Sequence, residues 1–577
     1  MPCAPVITRE SSIGNCQSRI DKPPSRPAFG NPSADGQSKI GNSRSAQTLL
    51  LLFLLSLPLF NPWVRGDGVG YYAYLRSLLV EHKLDFQNDW RAGNESFTMG
   101  RVHADGTIDP RQYTHTGHLD NHFAVGPSIL WAPFVVPVHV AMLTLERLGA
   151  HVKPNGFSRP YVIVMALATA LYGFLGLYFS FRLACHYTEQ RWAMLATLGI
   201  WFASSLPVYM YFNPSWSHAH SVFIVAAFLW CWHRTRQGRT LKQWVILGLI
   251  SGLVLDVYYA NIAVLLVPLL ESLEGYWRGL GPGVRGQVTG NREGRNPESR
   301  IPNPESRIPN PESRAAEPRG SSLRQWDILN RKSAIGNRQS LFAANLLYSG
   351  ATLIAFLPTL ITRQIIYGRP LDLGYGDVAG WQWASPQLAN VLFSSDHGLL
   401  VWTPIVILAV AGLFLFLRRD RRLAGYFIVV LLGFYYLIAA DPCWDGISSF
   451  GNRFFISLTP LFVVGLATLF SELASWLKRE RATLALASSL TGLLVVWNFA
   501  FIFQWGMHMV PARGPISWKQ MVRNQFVAVP ERVVTTFEAY LHNRGALMQQ
   551  IEQVDVRQLK QEPEVRSQKP EARSEKK

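Results

Sequence analysis

Apolar runs of about 20 residues, separated by short polar or basic links, dominate the chain from Thr48 onward. They cover Thr48–Val64, Arg159–Ala184, Trp192–Phe212, Ser217–Trp232, Trp244–Val257, Asn261–Leu270, Leu341–Ile366, Gly398–Leu417, Leu423–Ala440, Phe454–Leu477 and Ala482–Gln504. Runs of that length that keep no polar face predict about eleven transmembrane helices, two of them short. The expected fold class is an all-α polytopic membrane protein. One more apolar stretch, Phe123–Leu143, is interrupted by Pro127, Pro133 and Pro137 and is ambiguous on its own.

Charge resolves that ambiguity. The links "HRTRQGRTLK" at His233, "RRDRR" at Arg418 and "KRERA" at Lys478 are strongly basic, and basic links between spans stay cytoplasmic. They fall on one side only if Phe123–Leu143 lies at the outer interface rather than crossing. Residues 65–158 then form one large first external loop with interfacial helices. The N-terminus is cytoplasmic, and Asn213–Ser217, Arg369–His397 and Asp441–Arg453 are external. The segment after Met507 becomes external too, against its own basic character.

Outside the spans the chain is polar. Residues 1–46 are rich in Ser, Pro and Arg without an apolar period, and read as a disordered leader. Residues 285–338 contain "NPESRIPNPESRIPNPESR", too dense in proline and charge to build a core, and read as a low-complexity cytoplasmic insert. The core is then 47–505, followed by a polar C-terminal tail over 506–577.

Composition narrows the function classes. Of 577 residues, 49% are hydrophobic and only 16% charged, and the mean hydropathy of +0.10 is low only because the polar segments dilute the spans. The net charge of +17 sits largely in the links between spans, where it orients the chain, so nucleic acid is not an expected partner. Cys3, Cys16, Cys185, Cys231 and Cys443 have neither disulfide-framework nor zinc spacing. No Walker loop, dinucleotide fingerprint, GxSxG or HExxH occurs, which leaves ATP hydrolysis, Rossmann redox chemistry and the matching hydrolase classes without support.

The unusual polar residues gather in the external links: Asp67, Arg76, Asp85 and Asp89; Asn213, Ser217, His218 and His220; Asp372, Asp396 and His397; Asp441, Asp445, Asn452 and Arg453. Ionisable groups at the ends of apolar helices are costly unless paired or wet, so their gathering on one side is a functional signal. Asp67, set between glycines in "GDGVGYYAYLRSLL", can be a helix cap or a general base that takes a proton from an acceptor hydroxyl. The flanking glycines would let a bulky substrate approach, and Tyr71 and Tyr72 could stack on sugar or anchor at the interface. His218 and His220, two residues apart, do not have the helical spacing of a metal pair, and no metal ligands are assigned. His218 suits substrate hydrogen bonding, and Arg453 suits two-point binding of a phosphate. Arg76 and His397 complete the candidate substrate-binding set.

The order of these features resembles the membrane glycosyltransferases of the C superfold, in particular the bacterial relatives of dolichyl-phosphate-mannose protein mannosyltransferase and lipid A aminoarabinose transferase. The resemblance rests on "GDGVGYYAYLRSLL" after the first span, on "NHFAVGPSILWAPF" as a Pro-containing interfacial helix, and on "SSDHGLLVWTPI" and "SFGNRFFISLTPLF" at later junctions. "NPSWSHAH" departs from the family's Arg-Pro-Asp type motif in lacking the acid. The resemblance implies inverting transfer of a hexosyl or pentosyl group from a polyprenyl-phosphate sugar to an acceptor on the periplasmic side of a bacterial inner membrane. Asp67 would be the base, and Arg453, with His397, would neutralise the leaving phosphate. It leaves open whether a lipid, polysaccharide or protein is the acceptor and whether a divalent metal takes part. The competing function class is a transporter or flippase that binds a lipid-linked glycan without chemistry.

Overall fold

The computed structural model describes residues 37–278, 338–372, 374, 378–511 and 514–567. The NPESRIP insert and most of the leader lie outside the described residues, whereas the leader's last residues already belong to the helix Gln37–Ser56. The described chain is all helix and connecting loop, apart from two isolated bridges, Val102 to Ile108 and Tyr113 to Leu119. Six of its helices are long and apolar enough to cross a membrane: Gly126–Arg147, Arg159–Ala184, Leu341–Tyr367, Arg421–Ala440, Arg453–Leu477 and Glu480–Gly506. Leu346, Leu353, Ile354, Leu486, Leu493 and Val496 point outward from these helices, which is where an acyl-chain solvent would meet them.

Small residues let the helices pack closely. In "GLISG", Gly248 and Gly252 lie on one face of Leu241–Val257, and a Cβ there would stand 2.4 and 2.5 Å from carbonyl oxygens of the helix Arg338–Tyr367. Gly412 and Gly465 meet in the same way, a Cβ on the first falling 1.9 Å from the carbonyl oxygen of the second. Without a hydrophobic force between helices in lipid, this close backbone approach supplies the dispersion contact.

Several predicted spans are broken in the structure. Trp192–Phe212 becomes a helix over Gln190–Phe202, then a bend and a wide turn at Val208–Phe212. Gly398–Leu417 splits into Leu399–Trp402 and Ile405–Phe416, because Pro404 has no amide to donate and keeps Thr403 out of the helical region, at φ −133° and ψ 66°. Asn261–Leu270 begins as a tight 3-10 turn, Tyr259–Leu265, before the helix Leu266–Arg278. Arg453–Leu458 is likewise 3-10, and Pro460 starts the helix Thr459–Leu477.

The links sort to two ends. At one end Arg236 pairs with Asp420 at 3.2 Å, Arg419 with Glu472 at 2.8 Å, and Arg191 with Glu480, which joins the basic links to one another. At the other end lie the loops carrying Asp67, Trp216, Asp445 and Arg453. The ambiguous segment does not cross between them. Phe123 packs on Tyr71 as the segment enters, and Gly156 accepts from the Tyr72 hydroxyl at 2.9 Å as it leaves. Between these points Gly126–Arg147 dips beside the first half of Arg159–Ala184, with Trp131 bonded to Thr169 and His139 to Tyr161. It stands against a neighbouring helix where the sequence suggested a segment lying along the surface.

The C-terminal segment also gathers at the Asp67 end. Val529–His542 and Arg544–Ser567 are helical, with the Tyr540 hydroxyl donating to the Leu59 carbonyl at 2.7 Å and Gly514 N donating to Asp396 Oδ1 at 3.2 Å.

Candidate functional site

Asp67 is the first residue of the helix Asp67–Arg76, and the N-cap position belongs to Gly66, which makes no side-chain cap. Gly66 has φ +54° and ψ −132°, a conformation that L side chains rarely adopt, so glycine is required for the turn that presents Asp67. Three further bonds fix that turn: Gly66 N donates to Asn94 Oδ1 at 2.9 Å, Arg65 N to Ser215 Oγ at 3.4 Å, and Trp216 Nε1 to the Arg65 carbonyl at 3.0 Å. The next two glycines serve packing rather than substrate approach. A Cβ on Gly68 or on Gly70 would lie 1.9 Å from Ser215 Oγ or from the Phe123 ring, respectively.

The Asp67 carboxylate meets Arg453, with Oδ2 2.8 Å from a terminal guanidinium nitrogen. Asp67 keeps 30% of its side chain exposed while Arg453 keeps 10%, so the acid is the more accessible member of the pair. The guanidinium carbon lies over Trp216, 4.2 Å from the ring centroid, and its Nε is buried without a hydrogen-bond partner among the described residues. Tyr209 and Tyr71 are its next electrostatic neighbours after Asp67.

The loop before Arg453 is held by its own polar groups. Tyr259 donates to Asp441 Oδ2 at 2.6 Å, Asn452 Nδ2 to the Trp444 carbonyl at 3.0 Å, Ser449 to the Gly451 carbonyl at 3.0 Å, and Phe450 N to the Tyr209 hydroxyl at 3.1 Å. Gly451 takes φ +58°, which turns the chain into the 3-10 helix that starts at Arg453.

The residues singled out from the sequence divide into two groups. Asp67, Arg453, Tyr71 and His218 come together. The buried His218 ring lies 4.7 Å from Tyr209 and 6.3 Å from Trp216, and its Nδ1 has no partner among the described residues. Tyr72, Arg76 and His220 do not join them. Tyr72 is spent on Gly156 and Trp131, and His220 packs between Trp131 and Tyr172. Arg76 grips Asp89 with two bonds of 2.6 and 2.7 Å, also pairs with Glu81, and lies over Phe157. A buried fork on two carboxylates ties the loop to its helix and commits Arg76 to structure, away from the Asp67–Arg453 pair.

His397 forms a wall behind the Asp441–Arg453 loop. Its Nδ1 donates to the Asp445 carbonyl at 3.0 Å and its ring stands edge-on to Trp402, with φ +58°. Burial pushes its pKa down to about 4, only partly opposed by the Asp445 contacts. His397 is therefore neutral near pH 7 and brings no charge to a leaving phosphate. The native state holds it neutral until pH about 4, while the unfolded chain protonates near pH 6.5. Stability is thus full above pH 6.5 and falls as the pH drops toward 4. Thermal unfolding in detergent across that window should show the loss, and His397→Gln should flatten the profile.

Sequence reasoning did not single out Trp216 as the face on which Arg453 rests, nor Asn94 as the support of the Gly66 turn. A lone Trp in the polar stretch "NPSWSHAH" was a usable signal for the first; nothing local marks the second. Among the described residues, no group of three or more His, Cys, Asp or Glu could hold a metal ion, and the partner of Asp67 is a cation rather than a second acid.

No family model matches the chain, and no curated protein matches it. Among solved structures, one similar chain is the archaeal oligosaccharyltransferase AglB from Archaeoglobus fulgidus in complex with an inhibitory peptide and a dolichol-phosphate. It shows 11% identity and a TM-score of 0.42 over 84% of this chain and 54% of that one. Another is the Archaeoglobus fulgidus oligosaccharyltransferase in complex with Zn and sulfate, at 14% identity and a TM-score of 0.43 over 82% and 58%. The chain thus spans little more than half the length of these proteins, and similarity at this level does not establish a shared fold.

Proposed function

We propose that the protein is a polytopic membrane glycosyltransferase. It moves a hexosyl or pentosyl group from a polyprenyl-phosphate sugar to an acceptor hydroxyl, with inversion, on the periplasmic side of a bacterial inner membrane. The supporting observation is the Asp67–Arg453 pair, brought together from segments 386 residues apart at one end of a membrane-helix bundle, with the acid partly exposed. Transfer from a phosphate-linked sugar needs an acid–base group beside a fixed cation. The acceptor oxygen attacks the anomeric carbon and gives its proton to the Asp67 carboxylate. The bond from that carbon to the phosphate oxygen breaks, and the polyprenyl phosphate leaves with its added charge on Arg453. Trp216 supports the guanidinium from behind, which leaves its edge for phosphate oxygens.

In the free protein the base is held by the cation that the leaving group will need. A donor phosphate competes with Asp67 for Arg453, and its arrival releases the carboxylate toward the acceptor. The base is thereby freed only when a donor is seated.

Membranes carrying metabolically labelled polyprenyl-phosphate sugars test the reading. Label should move to an acceptor only when the protein is present, with the anomeric configuration inverted. Donor binding without transfer to any acceptor would instead favour a carrier of lipid-linked glycans.

A further inference from the structure

The C-terminal segment makes its polar contacts on the few residues that lead into Asp67. Arg544 donates to the carbonyls of Pro58, at 2.9 Å, and Phe60, and Asn61 Nδ2 reaches Met548 Sδ at 3.2 Å. Arg65 pairs with Asp555 and lies 3.6 Å from Glu552. Asp555 also accepts from His508 Nε2 at 2.7 Å. Glu552 accepts from Ser96 N at 2.6 Å and from Asn94 Nδ2 at 2.8 Å. The other end of that Asn94 amide holds Gly66 N.

From these contacts we propose that the C-terminal helix Arg544–Ser567 is a clamp on the Arg65-Gly66-Asp67 turn, in which Glu552 and Asp555 are positioning residues for Asp67. The proposal rests on the reading of Asp67 as the base.

Two physical effects support it. The segment from Phe60 to Gly66 is irregular backbone whose carbonyls and amides have no regular partners, so an outside element must supply them. The C-terminal helix does so through Arg544 at Phe60 and the neighbouring Pro58, and through Glu552 and Asn94 at Gly66, while Tyr540 of the preceding helix holds Leu59. The second effect is charge. Arg65 stands two residues from Asp67, and a free guanidinium there could capture the carboxylate. Asp555 and Glu552, one helical turn apart on a single face, hold it away. The clamp thereby both shapes the turn and keeps a competing cation off the base.

The test uses the full chain in membranes, with label transfer, binding of polyprenyl phosphate and hydrogen exchange across residues 60–68 as readouts. Glu552→Gln combined with Asp555→Asn should slow transfer about tenfold or more, as misplaced catalytic groups do. Polyprenyl phosphate binding should not weaken, since Arg453 is untouched and an Asp67 drawn to Arg65 competes less for it, and exchange across 60–68 should rise. Adding Arg65→Gln should recover part of the transfer, which a general loss of folding would not allow. Asp555→Glu should keep most of it. If Asp67→Asn is inactive but the double variant transfers at the wild-type rate with unchanged exchange, the clamp is refuted and the base stands. If Asp67→Asn transfers like the wild type, the base fails and the clamp falls with it. Should the double variant fold poorly, unchanged exchange across 60–68 in Glu552→Gln alone would equally overturn the proposal.

Discussion

Asp67→Asn should lower sugar transfer by about a thousandfold, the middle of the range for loss of a positioned general base. Asparagine matches aspartate in size and keeps the Gly66 turn, since that turn is held by Asn94, Ser215 and Trp216 rather than by the Asp67 side chain. Asp67 is not the cap of its helix, a position Gly66 holds, so the exchange breaks no capping bond. A purely structural Asp67 would therefore survive the exchange, and label transfer at the wild-type rate would remove it from the chemistry. The same variant should bind polyprenyl phosphate more tightly than the wild type, because Arg453 no longer has a carboxylate competing for its donors. Opposite effects on transfer and on binding are the signature of a base that shares its cation with the leaving group. A damaged fold would weaken both.

The membrane helices were legible because length and hydropathy are local properties of a chain in lipid. Charge in the links also placed the segment around Phe123 on the Asp67 side of the bundle. That its helix stands beside Arg159–Ala184 was not legible, because Trp131–Thr169 and His139–Tyr161 are tertiary bonds between segments each apolar enough alone. The 3-10 turn at Tyr259–Leu265 was hidden for a related reason, since apart from Asn261 its residues are apolar or aromatic, whereas Pro404 itself marks the break before Ile405. Irregular backbone at that depth persists where it is enclosed by protein, and Tyr258, at the head of the first break, stacks on Phe454 next to Arg453.

The candidate site was half legible. Asp67 and Arg453 stood out as ionisable groups at the mouths of apolar helices, and the structure pairs them. Arg76 stood out for the same reason, yet its partner is Asp89. Sequence pattern can mark a costly charge but does not say which opposite charge offsets it. The glycines around Asp67 misled in a similar way. Gly68 and Gly70 are small because Ser215 and Phe123 occupy the space, and only Gly66 is required by backbone conformation. The role of the C-terminal segment was the least visible. Glu552 and Asp555 sit in an unremarkable polar helix whose partners lie at the other end of the chain.

Arg453→Ala should act in the reverse sense to Asp67→Asn on binding and in the same sense on transfer. Removing the guanidinium takes away the donor that meets charge developing on the leaving phosphate, a loss of about a hundred- to a thousandfold in rate by analogy with other preorganised donors. Polyprenyl phosphate binding should weaken as well, because in the proposed reaction Arg453 holds the phosphate before and after transfer. Arg453→Lys separates charge from shape. Lysine keeps one positive charge but has no flat face to lie on Trp216, 4.2 Å away, and cannot present two parallel donors. It should recover part of the binding and little of the transfer. In a cycle with Asp67→Asn the binding effects should be strongly non-additive, since the two side chains touch. With Arg453 already gone, exchanging Asp67 should no longer tighten phosphate binding, because the competition has no object. Independent effects would mean that the phosphate is held elsewhere and that the ion pair is only a brace between the helix Asp67–Arg76 and the turn that leads into Thr459–Leu477.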